Sequence, residues 1–456
     1  MNFEELRNKY KNFIYKDYKI YDLEDRICLE YTFEIENLKK FTPRIEVLKK
    51  EFKFNDIDSL LVQNIVFNIG IIEAISYYKA VCSENFIIEC GAIDSYQEKW
   101  FRKLFYLGLG EFRYINNIKI DENEFIKFKS LGNKIEVSKS ENRLSGNIIP
   151  IGGGKDSNVT LELLEKYKEN NIAFCIGSKS VSLDCAKAAG YKDNQIIEVK
   201  RIIDKNLLDL NKEGYLNGHT PFSAIVAFIT YLVATLLNKK YVVLSNEDSA
   251  NETNVEGENI NHQYSKTIEF ENDFREYAER YLKSNVEYFS LLRPITEFEI
   301  AYLFSKYEKY HKIFKSCNVG SKTEPWVWCN SCPKCLFVYT ILSPFLYKEK
   351  LINIFGEDLF EKEELLKTFV ELCGYGETKP FECVGTFKEI RYAVSKTIEY
   401  IKDNSLDMPY LLKYYDDNFE KVLDDSILKY YNDNNNLPEE FEKILKERLG
   451  LWLKIY

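Results

Sequence analysis

"IIPIGGGKDSNVTLELL", residues 148–164, has the clearest local pattern in the chain. It joins a short apolar run to three glycines, a Lys-Asp-Ser tripeptide and then residues with the apolar spacing of a helix. Glycines at a strand-to-helix turn let the backbone approach a ligand closely, and the helix start presents free N–H groups and the positive end of its dipole. The stretch therefore predicts a phosphate-binding turn between a strand and a helix.

Six consecutive residues of this turn are candidate nucleotide ligands. They are Gly152, Gly153, Gly154, Lys155, Asp156 and Ser157. The glycines make the turn, Lys155 adds positive charge, and the hydroxyl of Ser157 can hydrogen-bond a phosphate from the first helical turn. Asp156 would repel phosphates unless it holds a divalent cation, so the turn predicts a nucleotide bound with Mg²⁺. The Walker pattern and the dinucleotide fingerprint, which need differently spaced glycines, do not fit here.

Short β runs alternate with helices from residue 146 onward. The predicted strands are 147–151, 172–177, 195–200 and 241–246, and the predicted helices are 157–169, 182–189 and 222–237. This alternation is typical of an α/β fold with a parallel, doubly wound sheet. Before the last of these helices, we expect Thr220 to supply the cap and Pro221 to occupy the first turn.

The chain is too long for one ordinary core, and three regions are expected. They are an N-terminal mixed α/β domain over 1–145, an ATP-binding domain over 146–316, and a cysteine-containing loop with a mainly helical C-terminal region over 317–456. In the first region we expect a strand over 27–38 and helices over 60–80 and 99–115. A further helix is expected over 271–284.

Composition restricts the class of protein. The 62 Lys and Arg against 72 Asp and Glu give a net charge of −10, which argues against nucleic acid as a partner. No signal-peptide pattern opens the chain, and the apolar run 222–237 is shorter than the roughly 20 residues that cross a bilayer. We therefore expect a cytoplasmic protein without membrane insertion, whose 11 cysteines are reduced.

Residues that follow two of the predicted strands should border the same crevice as the glycine turn. Gly177 and Ser178 end one strand segment, and Asn246 and Glu247 end another. Ligands of open α/β sheets bind past the carboxyl ends of the strands. We expect Gly177, Ser178 and Asn246 to contact the nucleotide, and Glu247 to bind Mg²⁺ with Asp156.

Four cysteines lie within a short loop. Cys317, Cys329, Cys332 and Cys335 have the spacing C-x11-C-x2-C-x2-C. Four thiolates so close in sequence suit a tetrahedral zinc site. An iron–sulfur cluster or redox pair, or a set of thiols without a metal, are the other interpretations.

"GGGKDS" resembles the S-G-G-x-D-S pyrophosphate loop, or PP-loop, of the ATP pyrophosphatase superfamily, with Gly152 where that pattern usually has Ser. The resemblance implies an adenine nucleotide alpha hydrolase-like sheet. Its members split ATP to AMP and pyrophosphate by adenylating a substrate.

Five further segments, in this order around the turn, look like the family of bacterial UDP-N-acetylmuramoyl-L-alanyl-L-glutamate epimerases. They are "NGHTPFSAIVAF" (217–228), "SNEDSANETN" (245–254), "NHQYSKTIEFE" (261–271), "WCNSCPKCLFVYTILSPF" (328–345) and "KPFECVGT" (379–386). The resemblance covers about 146–390. It implies an isomerase that inverts the terminal L-Glu of the UDP-linked muramoyl dipeptide to D-Glu through an acyl-adenylate. ATP and Mg²⁺ are required, AMP and pyrophosphate are released, and the product enters peptidoglycan biosynthesis, cell wall biogenesis and the control of cell shape.

Inversion needs acid–base groups, because an α-proton must leave and another must return. The candidates are His262, His219, Glu247 and Cys383, since no racemase cofactor is suggested. The candidate ligands for the substrate's diphosphate and carboxylates are Lys266, Arg275 and Arg293.

Two alternatives remain at this point. A zinc-containing PP-loop synthase or ligase, such as the 7-cyano-7-deazaguanine synthases with their similar cysteine array, would consume ammonia and contain stoichiometric zinc. A nonenzymatic nucleotide sensor would bind ATP without turnover. The sequence makes no prediction of oligomeric state.

Overall fold

The computed structural model describes residues 2–177, 180–252, 260–320, 323, 326–376 and 379–452. Over these ranges the chain folds around one 11-stranded sheet. The strands are β1 Asn12–Asp22, β2 Arg26–Ile35, β3 Lys39–Phe41, β4 Arg44–Leu48, β5 Asn85–Ile88, β6 Lys127–Ser130, β7 Asn147–Pro150, β8 Asn171–Ile176, β9 Ile196–Ile202, β10 Tyr241–Leu244 and β11 Glu287–Ser290.

The strand order is β11-β10-β7-β8-β9-β4-β2-β1-β5-β6, with β3 paired to β2. Strands β7 to β11 are parallel to their neighbours within this group, which confirms the predicted parallel sheet. The chain moves outward in one direction from β7 through β8 to β9, and in the other through β10 to β11. The switch point of the sheet therefore lies between β7 and β10, where a ligand crevice is expected.

The sheet continues without a break into the N-terminal region. Strand β4 pairs antiparallel with β9, with Arg44 opposite Ile202 and Val47 opposite Val199. Beyond β4 the strands are mixed, because β1 pairs antiparallel with β2 and parallel with β5. The boundary expected at 145/146 thus marks a change in the pattern of strands and helices, but one sheet contains strands from both regions.

Helices cover both faces of the sheet and make two cores. Ile148 belongs to one core and Ile149 to the other, as the twofold alternation of a strand requires. The helices assigned in the described ranges are α1 Phe3–Lys9, α2 Leu60–Tyr78, α3 Ser95–Gly108, α4 Gly110–Ile115, α5 Glu122–Phe125, α6 Lys155–Leu163, α7 Ser180–Ala188, α8 Lys205–Lys212, α9 Phe222–Leu236, α10 Ile268–Tyr277, α11 Glu297–Ser305, α12 Pro333–Leu342, α13 Lys348–Phe355, α14 Leu366–Leu372, α15 Phe387–Asp403, α16 Tyr410–Asn418 and α17 Glu439–Trp452.

Most predicted helices are confirmed, with shifted ends. The helix expected over 99–115 is interrupted after Gly108 and forms α3 and α4, and the one expected over 271–284 begins at Ile268 and ends in a π-helical turn, Ala278–Leu282. The cap expected from Thr220 is wrong. Helix α9 begins at Phe222, so Pro221 is its N-cap and not, as also expected, a residue of the first turn, and Thr220 lies one position too early to cap it. The Thr220 hydroxyl accepts a hydrogen bond from Lys79 at 3.0 Å.

One helix in the described ranges, α2, is long and apolar enough to cross a membrane by length and composition. Of its apolar window, 83% is buried inside the protein. It packs on α9 and on strands β1 and β2. Burial of this extent is typical of a core helix.

Candidate active site

The glycine turn joins β7 to α6, as the sequence predicts. Gly153 has φ +86°, a left-handed conformation, and a Cβ at this position would lie 2.8 Å from Val181 Cγ1. Glycine is therefore required there. Gly154 is the N-cap of α6 and offers no side-chain cap, so the N–H groups of the first turn are open to a ligand.

A cleft of about 560 Å³ lies beside this turn, at the switch point of the sheet. Its polar lining from predicted residues comprises Gly152, Gly154, Asp156, Ser157, Gly177, Asn246, Glu247, Lys266 and Cys383. An apolar wall is formed by Phe174, Ile176, Phe222, Val226 and Leu244. The structure thus brings five separate segments of the predicted site to one crevice, which has a polar side and an apolar side.

Two of the predicted nucleotide ligands, Lys155 and Ser157, bind other groups of the protein with their polar side-chain atoms. Lys155 is only 1% exposed and forms ion pairs with Asp156 and Glu297, so its charge is used inside the protein. Ser157 Oγ donates to the carbonyl of Gly154 at 3.1 Å, which tightens the turn. Ser178 lies outside the described residues.

Three carboxylates meet below the turn. One oxygen each of Asp156, Glu247 and Glu297 lies within 4.8 Å of the others. Burial raises the pKa of Glu297 to about 8, although Lys155 opposes that change. For Asp156, burial disfavours the charge, but Lys155 and then Lys334 outweigh it and lower the pKa of the carboxyl.

An acid–base network lies at one side of the cleft. Lys266 Nζ is 3.1 Å from Cys383 Sγ, His262 hydrogen-bonds the same thiol, and His262 Nδ1 contacts Glu111 Oε2. Burial opposes ionisation of Cys383, but Lys266 and the bond with His262 outweigh it and lower the pKa of the thiol to about 6. The geometry is that of a thiolate beside an imidazolium that a carboxylate orients.

The two histidines of this network differ in charge. Burial disfavours the charged form of His262, but the hydrogen bonds with Cys383 and Glu111 outweigh it and raise its pKa to about 9. His219 packs against it, with ring centroids 4.3 Å apart and His219 Nδ1 3.7 Å from Glu111 Oε2. Burial and the charge of His262 lower the pKa of His219 to about 3, so this ring is neutral at pH 7.

Cys383 and Lys266 line the cleft, whereas His262, His219 and Glu111 are not among its lining residues. Cys383 and Lys266 are therefore the two members of the network that face the same space as the glycine turn. Of the predicted acid–base groups, the structure brings His262, His219 and Cys383 into one cluster. It places Glu247 with the carboxylates of the turn.

The two predicted arginines do not reach the cleft. Arg275 lines a separate surface cavity and donates to the carbonyl of Tyr288 at 2.7 Å. Arg293 is fully buried and donates to the carbonyls of Glu247, at 2.7 Å, and Lys266. It stabilises the two loops that carry these residues.

Several functional candidates are evident only in the structure. Glu111 lies on α4, in a segment whose aromatic residues indicate core packing. It is the one acidic residue of the predicted helix 99–115, and nothing else in the sequence indicated a functional role for it. Glu297 opens α11 and comes from a segment with no motif. Positive charge at the cleft also comes from Lys315, Lys334 and Arg201, each from a different part of the chain.

The predicted cysteines also converge. Cys317, Cys329, Cys332 and Cys335, here called the four-cysteine cluster, have all their sulfur atoms within 4.8 Å of one another. Lys334 lies in sequence between Cys332 and Cys335. Its side chain lines the cleft and donates to the carbonyl of Cys383. The cluster and the cleft are therefore neighbours.

Fold and site together define a class: an α/β protein with a cleft at the switch point of a parallel sheet and, in its wall, a thiol whose pKa is lowered by a neighbouring lysine and histidine. Models of the MurL N-terminal domain and the MurL C-terminal domain match residues 4–291 and 313–420. The chain belongs to the MurL family.

Curated relatives carry one name, UDP-N-acetyl-alpha-D-muramoyl-L-alanyl-L-glutamate epimerase. The protein of Xanthomonas oryzae pv. oryzae is 32% identical over 350 residues, which cover 75% of this chain and 76% of the relative. That of Micromonospora sp. is 33% identical over 72% of this chain and 73% of the relative, and that of Salinispora tropica is 38% identical over 54% of each. No solved structure matches the chain significantly.

Proposed function

We propose that this protein is an ATP-dependent epimerase that inverts the terminal L-Glu of UDP-N-acetylmuramoyl-L-alanyl-L-glutamate to D-Glu. The observation that carries the proposal is that one cleft contains both the open glycine turn and Cys383, whose thiol has a lowered pKa. The names of the relatives support this activity over the synthase, ligase and sensor alternatives. The substrate is a small molecule, the UDP-linked muramoyl dipeptide.

Binding of ATP through a PP-loop is supported by the chemistry of the lining. The N–H groups at the start of α6 and the positive end of its dipole suit phosphates, and Lys315 and Lys334 add cationic side chains. The exposed ring of Phe222 and the apolar wall suit an adenine ring.

Asp156 and Glu247 are the residues that would hold Mg²⁺ with the triphosphate. Both line the cleft, and Mg²⁺ prefers one or two carboxylates together with phosphate oxygens and water. Glu297, the third carboxylate of the group, is not among the residues that line the cleft. When bound, the ion neutralises charge on the phosphates and makes pyrophosphate a better leaving group.

ATP is needed because the α-proton beside a carboxylate is weakly acidic. Attack of the carboxylate oxygen on the α-phosphorus breaks the bond to pyrophosphate and gives an acyl-adenylate. This mixed anhydride bears no carboxylate charge, so its α-proton is far more acidic. After the proton has left and another has returned on the opposite face, water cleaves the anhydride and releases AMP and the inverted carboxylate.

The Cys383 thiolate is the proposed base. It faces the cleft, and Lys266 and His262 hold its negative charge. His262, in turn held by Glu111, stabilises the thiolate by its hydrogen bond. The proton that returns must come from the opposite face of the α-carbon, so Cys383 accounts for only one of the two proton transfers.

The direct test incubates the purified chain with ATP, Mg²⁺ and the L-Glu substrate in deuterium oxide. We expect one AMP and one pyrophosphate per inversion, and deuterium at the α-carbon of both the product and the recovered substrate. Absence of AMP with this substrate would reject the proposal, and consumption of ammonia would favour a synthase or ligase. ATP binding without turnover would indicate a sensor.

A cytoplasmic location is part of the proposal. All 11 cysteines are free in the structure. A lowered thiol pKa at Cys383 also makes this residue sensitive to oxidation, which a reducing compartment prevents.

A further inference from the structure

We propose that the four-cysteine cluster is a closed structural zinc centre that holds one wall of the nucleotide cleft. The proposal concerns residues outside the acid–base network. Its first test, the metal content of the protein, is independent of any enzymatic activity.

The sulfur separations fit one tetrahedral ion. Cys317 Sγ is 3.9 Å from Cys332 Sγ, Cys329 Sγ is 3.8 Å from Cys335 Sγ, and the sulfur atoms of Cys332 and Cys335 are 3.5 Å apart. Zinc–sulfur bonds of about 2.3 Å in a regular tetrahedron place the sulfur atoms about 3.8 Å apart. A disulfide would bring a pair to about 2.05 Å.

Backbone N–H groups donate to two of the four sulfur atoms. The N–H of Gly320 donates to Cys317 Sγ at 3.0 Å, and the N–H of Cys335 donates to Cys332 Sγ at 3.4 Å. Cys332 is the N-cap of α12, so its sulfur lies at the positive end of the helix dipole. Hydrogen bonds of this kind orient the ligands of a metal and reduce the charge on the sulfur atoms.

The number and softness of the ligands indicate zinc in a structural role. All four positions of a tetrahedron are supplied by the protein, whereas a catalytic zinc keeps one position open for water or substrate. Sulfur atoms that all lie within 4.8 Å of one another surround a single ion and leave no room for a cluster of several irons. Four thiolates in a tetrahedron are a preferred donor set of Zn²⁺.

Three contacts connect the four-cysteine cluster to the cleft, through the lining residues Trp326, Lys315 and Lys334. Trp326 Nε1 donates to the carbonyl of Cys317 at 2.9 Å, and the N–H of Lys315 donates to the carbonyl of Gly153 at 3.0 Å. Lys334 contacts the carbonyl of Cys383. Zinc at the cluster would therefore hold the loop that packs against both the glycine turn and the segment of the proposed base.

The first experiment measures metals in the full-length protein, purified without chelator from a zinc-supplemented culture. We expect about one zinc per chain by mass spectrometry of the elements, and no stoichiometric iron. Zinc in fewer than about one chain in ten, one iron per chain, or a disulfide between any two of these cysteines would overturn the proposal.

The second experiment compares Cys335→Ser with Cys373→Ser, a matched change at a fully buried cysteine outside the cluster. We expect Cys335→Ser to lose zinc and to bind a nonhydrolysable ATP analogue at least about tenfold more weakly, and Cys373→Ser to keep its zinc. Should Cys335→Ser not fold, the same affinity is measured on the full-length wild-type protein before and after removal of its zinc with a chelator. Retention of zinc by Cys335→Ser, or an unchanged affinity after zinc removal, would contradict the proposal.

Discussion

Two cysteines show at the scale of single residues how neighbours decide thiol chemistry. Burial raises the pKa of the Cys373 thiol, and the single nearby charge, Arg391, is too weak to reverse it. Cys383 is also removed from water, yet Lys266 and His262 lower its pKa to about 6. Only the second thiol is ionised at pH 7, and only it faces the cleft.

Replacement of this thiol is the first prediction. We expect Cys383→Ala to lower kcat by about 10² to 10⁴, because a positioned acid–base group contributes rate factors of that size. Binding of the nucleotide should change little, since the glycine turn is intact. Activity and ATP-analogue affinity are measured together, with Cys373→Ala as the matched control that keeps its activity. Full activity in Cys383→Ala would assign proton transfer to another group.

The second prediction concerns the effect of the Lys266 charge on the pH dependence of kcat/KM. In the wild-type protein, kcat/KM should rise with pH as the Cys383 thiol ionises near pH 6, and fall as the His262 ring loses its proton near pH 9. Lys266→Met removes a positive charge beside the thiolate, so the pKa of the thiol rises and the acidic limb moves to higher pH.

The change in the pKa of the Cys383 thiol can also be measured without following the reaction. The rate at which iodoacetamide alkylates Cys383 is followed against pH by peptide mass spectrometry, because the thiolate is the reactive form. Lys19→Met, a change at an exposed lysine on β1, is the control. An alkylation midpoint that does not move in Lys266→Met would contradict the assigned cause of the lowered pKa.

Glu111 supports the third prediction. The carboxylate helps to raise the pKa of His262 to about 9, so Glu111→Gln should lower that pKa and move the alkaline limb of kcat/KM to lower pH. With only 3 histidines in the chain, NMR titration of the ring protons can follow His262 directly. An unchanged His262 titration would show that Glu111 does not act on this ring.

Among the elements, the turn before α6 contains two adjacent glycines that differ in whether a side chain could replace the hydrogen. A Cβ at Gly152 would have nothing within 4 Å, whereas Gly153 has φ +86° and would meet Val181 at 2.8 Å. The resemblance to the PP-loop, which usually has Ser at the first of these positions, agrees with the open space at Gly152. A side chain is therefore tolerated at Gly152, whereas the backbone conformation of the turn excludes one at Gly153.

The fourth prediction compares the same substitution at both glycines. We expect Gly152→Ser to leave the thermal unfolding midpoint unchanged and to retain nucleotide binding. Gly153→Ser should destabilise the fold by about 1–3 kcal/mol and weaken binding, because a left-handed conformation is strained for serine. Calorimetry and analogue binding measure both effects. Equal stability of the two variants would contradict the role given to the turn.

The start of α9 shows why local signals can mislead at this scale. Thr220 and Pro221 are residues that commonly open a helix, and the helix does follow them. The Thr220 hydroxyl nevertheless binds Lys79, which also contacts the carbonyl of Gly218. The helix thus begins one residue later than the capping pattern predicts, and the hydroxyl binds a residue 141 positions away in sequence.

At the scale of the whole molecule, the N-terminal region completes both the sheet and the site. Strand β4 covers the edge of β9, and α4 supplies Glu111 to a network whose other members come from the rest of the chain. Arg201 on β9 also forms a bidentate ion pair with Glu73 on α2, at 2.7 and 2.9 Å. The two regions therefore depend on each other for stability.

The fifth prediction concerns a fragment spanning residues 146–456. Without β4 it exposes the edge of β9 and the apolar faces that α2 covers, so we expect it to aggregate or to lack cooperative unfolding. The full-length protein should unfold in one transition. Circular dichroism and calorimetry compare the two, and a fragment with a cooperative transition and nucleotide affinity equal to the full chain would contradict this dependence.

The parallel strands, the glycine turn and the grouping of the four cysteines could be predicted from the sequence, because each depends on residues close together in the chain. Periodicity and turn chemistry act locally, so they are readable in one dimension. Only the tertiary structure decided that Glu111, Glu297 and Lys334 join the site and that Arg293 is buried. Those outcomes depend on which distant elements pack together, since a charge changes the pKa of a group only across a short distance in space.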